Sequence, residues 1–288
     1  MSQIKKFIVK EYGIRAAALS DPSVIDSLVQ AVRAGPLASM AIGNAVMGAA
    51  LLASQLKDQA VAMRFRGDGP LGDVYAEATY DGRIRVHVSN PLAELAPGDD
   101  PLDVAKGIGA GFLDVITTLP GLATPQVSTV ALMAGGIGDD IAYYLHQSQQ
   151  VLSVVALGLK FKTSGQVVAA GGIIIELMQS VPEDLIHSIE TAVGAAGPLS
   201  ARLLAGDSPA DLAAAYLQNL ALVEVPHPFE LRFTCPCSWE RVLRAFTLLG
   251  RKELISLIAL GSDREVTCEF CHKKYQVTSE DLRGLLDS

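Results

Sequence analysis

The chain of 288 residues carries 23 Lys and Arg against 31 Asp and Glu, which gives a formal net charge of −8. Half of its residues are hydrophobic and 19% are charged, a composition that excludes an intrinsically disordered protein. Dedicated nucleic-acid-binding proteins are normally basic, so the acidic balance weighs against that class.

The amino-terminal region mixes charges with short apolar runs, unlike a secretory signal, and we therefore expect a cytoplasmic protein. No Lys, Arg, Asp or Glu occurs from residue 34 to residue 56, a length that is sufficient to span a bilayer. This run contains Pro36 and Asn44 and consists largely of Ala and other small residues. We predict a buried core helix here rather than a membrane span, and no membrane partner.

Residues 1–180 are predicted to form an α+β domain with antiparallel strands. We expect strands at 7–9, 60–66, 73–79, 83–88, 128–133, 151–159 and 166–169, and helices at 22–33, 36–56, 101–117 and 171–179. The three strands between residues 60 and 88 are predicted to form a meander, because Asp81-Gly82 is typical of a hairpin turn.

A glycine motif lies between the first two strands of this meander. Residues 67–72 read Gly-Asp-Gly-Pro-Leu-Gly, which matches the G-x-G-x-x-G pattern of dinucleotide-binding sites. That site needs a helix after the motif, but residues 73–79 alternate with period two like a strand. We predict a hairpin connection rather than a nucleotide loop. No other spacing is typical of a catalytic site, so we expect a protein that is not an enzyme.

A helical linker is predicted at 181–231. Apolar side chains recur on one face of a helix that begins near Pro182 and is broken between Gly194 and Gly197. Ser208-Pro209 is a typical start of a second helix. The linker is too short to have its own core, so its apolar face must rest on the first domain, on the carboxy-terminal region, or on both.

All four cysteines lie in the carboxy-terminal region 232–288, as Cys235-x-Cys237 and Cys268-x-x-Cys271. In a cytoplasmic protein such clustering favours metal binding or redox chemistry over structural disulfides. Four thiolates complete the tetrahedral coordination of Zn²⁺. We therefore predict one zinc ion bound by all four cysteines, with His272 as a neighbour rather than a ligand.

The region 232–288 is predicted to be a small α+β zinc module. Strands are expected at 265–267 and 275–278, a helix capped by Ser238 from Trp239 to about Leu249, and a second helix at 251–260. A module of this size buries little apolar surface, so the metal should stabilise it.

Oxidation offers a way to remove that metal. Zinc-bound sulfur is thiolate, the form that oxidants attack, and oxidation of either cysteine pair removes two ligands. Metal release would then unfold the module, and a linker without support would expose apolar surface that binds other proteins. A nucleic-acid-binding zinc module is the alternative, but this region has nine Lys and Arg against eight Asp and Glu and no basic stripe.

Three segments around the cysteines resemble one family: Phe233–Arg241, the Leu-Leu-Gly turn at 248–250, and Val266–Cys271 with Tyr275. They are similar to the redox-regulated heat-shock holdases, the thirty-three-kilodalton chaperonin family. The glycine turn at 67–72, Asn90-Pro91 and the segment 168–178 extend the resemblance over the whole chain. The chain departs from the family pattern at Asn44 and at Ser148–Ser153, away from the cysteines.

The resemblance implies a molecular chaperone of the stress response that is inactive when reduced and zinc-bound. Oxidation would join Cys235 to Cys237 and Cys268 to Cys271, release zinc, and unfold the module and the linker. The oxidised form, a homodimer, would then hold unfolded client proteins without ATP and pass them to ATP-dependent chaperones. No nucleic acid is expected among its partners.

Overall fold

The computed structural model describes residues 4–119, 121, 124–178, 181–218, 220–226 and 230–286. Contacts divide the chain into two compact units, Met1–Phe233 and Thr234–Ser288, which we call the large unit and the terminal unit. The division into a domain at 1–180, a linker at 181–231 and a module at 232–288 stays a prediction.

The large unit contains groups of two or three consecutive strands that are separated by helices. Its strands are β1 (Lys5–Val9), β2 (Ile14–Ser20), β3 (Ala60–Gly67), β4 (Val74–Thr79), β5 (Arg83–Val88), β6 (Gly111–Thr118), β7 (Gln126–Ala131), β8 (Leu152–Phe161), β9 (Val167–Leu177), β10 (Val223–Val225) and β11 (Arg232–Phe233). Its helices are α1 (Pro22–Val32), α2 (Pro36–Gln55), α3 (Val104–Ile108), α4 (Ile137–Gln149), α5 (Glu183–Ala196), α6 (Leu199–Leu204) and α7 (Pro209–Tyr216). The predicted α+β class is confirmed.

Two sheets organise the large unit. One has the strand order β10-β1-β2-β9-β8, and all of its neighbouring strands are antiparallel. The other has the order β11-β5-β4-β3-β6-β7 and is antiparallel except at β11, which pairs with β5 in parallel through Arg232 and Arg83. The predicted meander of β3, β4 and β5 is confirmed.

Helix α2 contacts strands of both sheets. Sixteen of its residues are buried, so the predicted core helix is confirmed. Small residues permit the close packing, since a Cβ on Gly48 would lie 2.3 Å from Ile141 Cδ1. Although α2 is long and apolar enough to cross a membrane, 89% of its most apolar window is buried within the fold.

The glycine motif connects two antiparallel strands, β3 and β4, as predicted. Its glycines are required by a close approach of the backbone, because a Cβ on Gly67 would lie 1.9 Å from the carbonyl oxygen of Ile108. A Cβ on Gly69 would lie 2.4 Å from the carbonyl oxygen of Gly107. The resemblance to a dinucleotide motif therefore has a packing explanation.

Two helix predictions are wrong. In the segment 101–117 only the five residues of α3 are helical, because Asp103 caps α3 and Gly109, with φ of 79°, ends it before β6 begins. Residues 171–177 belong to strand β9, whose Ile173–Ile175 run is β-branched. Residue 179 of that prediction lies outside the described residues. Strand β2 and helix α4 were not predicted from the sequence.

The helices α5, α6 and α7 and the short strand β10 occupy most of the predicted linker. Their buried side chains, including Leu199, Leu203 and Leu212, pack with residues of β1, β2 and β9 in one apolar cluster. The predicted cap of α7 is confirmed as a reciprocal capping box between Ser208 and Asp211. The break expected between Gly194 and Gly197 is confirmed, since α5 ends at Ala196 with Gly197 as its C-cap.

Candidate metal centre

The terminal unit contains three helices and a hairpin. They are α8 (Trp239–Thr247), α9 (Arg251–Ala259), β12 (Arg264–Thr267), β13 (Lys274–Val277) and α10 (Ser279–Gly284). The predicted helices and strands of this region are confirmed within one or two residues. Its fully buried hydrophobic side chains are Leu254, Val277 and Leu282, with half-buried side chains around them. This core is small compared with the two apolar clusters of the large unit.

One pair of cysteines lies in the turn of the hairpin. Cys268 follows β12, its backbone N–H donates to the carbonyl oxygen of Lys273 at 2.9 Å, and its own carbonyl accepts from the N–H of His272 at 2.9 Å. His272 has a positive φ of 54°, which closes the turn. The hairpin thus directs the thiols of Cys268 and Cys271 toward one point.

The other pair precedes helix α8. The Oγ of Ser238 accepts from the N–H of Arg241 at 3.3 Å and caps the helix. The guanidinium of Arg241 donates in turn to the carbonyl oxygen of Pro236 at 3.1 Å. The second hydrogen bond restrains the backbone between Cys235 and Cys237, and the first holds the start of α8 directly after Cys237.

The structure brings the four predicted ligands together. All four Sγ atoms lie within 4.8 Å of one another, and all four side chains are half-buried. The Sγ atoms of Cys235 and Cys268 are 3.6 Å apart, and those of Cys237 and Cys271 are 3.4 Å apart. A tetrahedral Zn²⁺ with bonds of about 2.3 Å places its sulfurs roughly 3.8 Å apart. The donor set therefore fits a thiophilic tetrahedral ion.

The histidine that could have replaced a thiol is not part of this group. His272 follows Cys271 directly, but the ligand distances are met by the four cysteines alone. Among the described residues, this is the one group of three or more His, Cys, Asp or Glu side chains that meets those distances. The candidate site is thus confined to the terminal unit.

A tyrosine hydroxyl contacts the sulfur cluster. Tyr275 Oη donates a hydrogen bond to Cys237 Sγ at 3.1 Å, although the two residues belong to different halves of the motif. The Tyr275 side chain is buried, and its ring is stacked with Trp239 at a centroid distance of 6.4 Å. Sequence reasoning placed Tyr275 in the family motif but missed this contact. The sequence places Tyr275 on a strand and carries no signal for a contact with a sulfur.

The thiols differ in acidity. Burial raises the pKa of Cys237, but hydrogen bonds from Tyr275 and the neighbouring thiols outweigh burial and lower the pKa to about 7. Burial raises the pKa of Cys235 and of Cys271. The hydrogen bond to Cys237 raises the pKa of the Tyr275 hydroxyl. Without metal, Cys237 is therefore a more acidic thiol than Cys235 or Cys271.

Fold and site together define a class of protein: a large two-sheet α+β unit followed by a small unit that contains a cluster of four cysteines at metal-binding distances. A model of the Hsp33 protein family matches residues 2–278. The chain therefore belongs to the Hsp33 family, and the resemblance predicted from its motifs is confirmed. This is a family of chaperones, and chaperones bind unfolded proteins. The names of the family and its members refer to no enzymatic activity.

Relatives and a solved structure agree with this assignment. The chain is 35% identical over 294 residues to the 33 kDa chaperonin of Desulfotalea psychrophila, covering 100% of this chain and 98% of that protein. It is 34% identical over 289 residues to that of Thermodesulfovibrio yellowstonii, covering 99% of each. The crystal structure of the 33 kDa chaperonin from Thermotoga maritima matches with a TM-score of 0.87 and 27% identity, covering 99% of this chain and 97% of that chain.

Proposed function

We propose that this protein is a redox-regulated holdase that is inactive while its cysteines are reduced and hold one Zn²⁺. The observation that carries the proposal is the convergence of four Sγ atoms within 4.8 Å in a unit with a small apolar core. When bound, zinc supplies four metal–thiolate bonds that hold the two halves of the terminal unit together. Cys235, Cys237, Cys268 and Cys271 are the proposed ligands.

In the proposed activation, oxidation joins Cys235 to Cys237 and Cys268 to Cys271. Formation of each disulfide removes two electrons from two thiolates, and one molecule of hydrogen peroxide accepts these electrons together with two protons and becomes two waters. Disulfide sulfur is no longer a thiolate ligand, so two disulfides leave the metal without its donor set. The terminal unit then loses the bonds that stabilise its small core.

The linker is the proposed link between the metal centre and client binding. Cys235 follows β11 by two residues, and β11 is held to β5 by two residue pairs and to Asp81 by an ion pair of Arg232 at 3.0 Å. That ion pair is exposed and contributes little, about 0–1 kcal/mol. Unfolding that begins at Cys235 would therefore detach β11 easily and continue into 181–231.

Release of the linker would expose the apolar cluster between it and the five-stranded sheet. The side chains of Leu212 and Tyr216 on one side, and of Phe7, Ile173 and Ile175 on the other, are all buried there. Exposed contiguous apolar surface binds the apolar segments of unfolded proteins. Binding of this kind needs no ATP, and clients would be passed to ATP-dependent chaperones.

The remaining parts of the proposal concern assembly and location. We propose that the oxidised form is a homodimer, because its exposed apolar surface favours self-association, and that it acts in the cytoplasm. Neither nucleic acid nor membrane is a proposed partner. Light scattering of the reduced and oxidised protein at several concentrations tests the change in oligomeric state.

The main experiment combines zinc release with client protection. The zinc-loaded protein is treated with hydrogen peroxide at elevated temperature, zinc is followed with a chromogenic chelator, and disulfides are mapped by mass spectrometry. Aggregation of a thermally unfolded client is measured in parallel, with heat alone as the control. We expect protection only after zinc has left and the two neighbouring disulfides have formed.

Two other outcomes would contradict the proposed function and support a different one. Zinc that stays bound, with no protection, would make the centre a structural one. Salt-dependent binding of DNA or RNA by the reduced, zinc-loaded protein would instead support the nucleic-acid-binding alternative.

A further inference from the structure

We propose that the Tyr275 hydroxyl is a positioning group that restrains the oxidation of Cys237 and strengthens its metal bond. This inference rests on the proposed function, since it concerns the regulation of the same centre. It rests on the hydrogen bond of 3.1 Å from Tyr275 Oη to Cys237 Sγ.

The hydroxyl is held in place by the packing of its ring. Tyr275 is 8% exposed and lies on β13, where it pairs with Val266 of β12. Its ring stacks with Trp239 at an interplanar angle of 29°, and the Lys273 ammonium lies 5.1 Å from the ring centroid. The aromatic ring is therefore fixed by contacts that do not involve its hydroxyl.

The hydrogen bond joins the two halves of the centre. Tyr275 belongs to the hairpin that carries Cys268 and Cys271, yet its hydroxyl reaches the sulfur of Cys237 beside helix α8. Outer-shell donors of this kind orient metal ligands, and their removal typically costs about 10- to 100-fold in metal affinity or activity. Tyr275 thus connects the correct folding of the hairpin to the state of the opposite cysteine pair.

The same hydrogen bond changes the reactivity of the sulfur. In the oxidation step, an electron pair of Cys237 Sγ attacks a hydroperoxide, an S–O bond forms, and the O–O bond breaks. The leaving oxygen takes a proton, and the sulfenic acid on Cys237 is then attacked by the thiolate of Cys235. An S–S bond forms and the sulfenic oxygen leaves as water after protonation, so two sulfurs lose two electrons and one hydroperoxide gains them.

A donor on the attacking sulfur slows the first of these steps. The hydroxyl proton of Tyr275 withdraws electron density from Cys237 Sγ, which lowers its nucleophilicity. It also occupies one direction from which a hydroperoxide would approach. Loss of the hydroxyl should therefore speed oxidation and weaken metal binding together.

The test is Tyr275→Phe in the full-length, zinc-loaded protein. The variant keeps the ring, its stacking with Trp239 and its contact with Lys273, and it removes only the hydroxyl. Zinc affinity is measured by competition with a chelator. Trapping of the sulfenic acid on Cys237 with a dimedone probe is followed by mass spectrometry.

We expect zinc affinity to fall by about 10-fold and the rate of sulfenic acid formation at Cys237 to rise by a similar factor. Tyr144→Phe is the matched control, since it removes a buried hydroxyl from the large unit and should change neither quantity. Trp239→Phe, which keeps the hydroxyl but weakens its support, should give a smaller change in the same direction.

The inference is overturned if Tyr275→Phe binds zinc with the wild-type affinity and forms the sulfenic acid at the wild-type rate. This failure differs from failure of the proposed function, in which the wild-type protein itself keeps its zinc under peroxide or gives no client protection. Zinc affinity in reducing buffer reports on Tyr275 in either case.

Discussion

Substitution of a core residue that lies away from the sulfur cluster tests whether metal binding and folding of the terminal unit are coupled. Leu282 on α10 is 1% exposed and packs with Leu254 and Val277. Leu282→Ala removes buried apolar atoms from a core with few of them and should cost about 2–5 kcal/mol. The variant changes none of the proposed ligands.

The size of the effect on zinc affinity follows from linkage. If the terminal unit is unfolded without metal, the free energy of zinc binding includes the free energy of folding this unit. The folding free energy that Leu282→Ala removes then appears in full as weaker zinc binding. A loss of about 2–5 kcal/mol corresponds to a fall in apparent zinc affinity of roughly 30-fold to several thousand-fold. Structural zinc sites supply about 10–16 kcal/mol, so the loaded variant should still fold.

The assay is a titration of each reduced apoprotein with zinc in the presence of a competing chromogenic chelator. Leu248→Ala is the matched control, because Leu248 belongs to the same unit but is 84% exposed, and it should bind zinc like the wild type. Unchanged affinity of Leu282→Ala, with a terminal unit that remains folded without metal, would refute the reasoning. Metal release would then not unfold the unit.

Three further outcomes follow from the structure. Cys268→Ser should weaken zinc binding and leave the terminal unit partly unfolded in reducing buffer, and full zinc affinity with intact circular dichroism would contradict ligation by four cysteines. Gly82→Ala should destabilise the large unit by several kcal/mol in denaturant unfolding, because its φ is +87° and a Cβ would lie 1.9 Å from the carbonyl oxygen of Glu230. Gly98→Ala, at φ of +100° with open space around it, should cost only about 1–2 kcal/mol. Burial raises the pKa of Asp140 to about 6, so its contribution to stability is present below about pH 4 and is lost as the pH rises through 6. Asp140→Asn should remove up to about 3 kcal/mol from the change in unfolding free energy between about pH 4 and 7. Denaturant unfolding over this pH range measures the change, and an unchanged pH profile would contradict the role given to Asp140.

The cluster of four cysteines could be predicted because the residues that form each half of it are close together in the sequence. The candidate ligands are two cysteine pairs with short spacings. Their supports, a capping serine at residue 238 and a strand on each side of Cys268–Cys271, lie within a few residues of them. The contact of Tyr275 with Cys237 could not be predicted, because it depends on how the hairpin packs beside helix α8. Pattern alone places Tyr275 on a strand but not against a sulfur.

The two wrong helix predictions have different physical reasons. Periodicity identifies a strand when one face is buried and the other is exposed, as in β5. Strand β9 is buried along nearly its whole length, so its apolar run has no period and was predicted as a helix beyond residue 170. In β6 the pattern was obscured by α3, which ends only three residues earlier.

The burial of both faces of β9 also bears on the proposed switch. Ala170 and Ile174 point into the cluster that contains α2, whereas Ile173 and Ile175 point into the cluster covered by the linker helices. Helices α6 and α7 contact β9 from the linker side. Loss of the linker would therefore uncover one apolar face of the five-stranded sheet while α2 still supports the other face. In the proposed switch the large unit would thus expose a surface for unfolded proteins, and the other face of the sheet would keep its packing against α2.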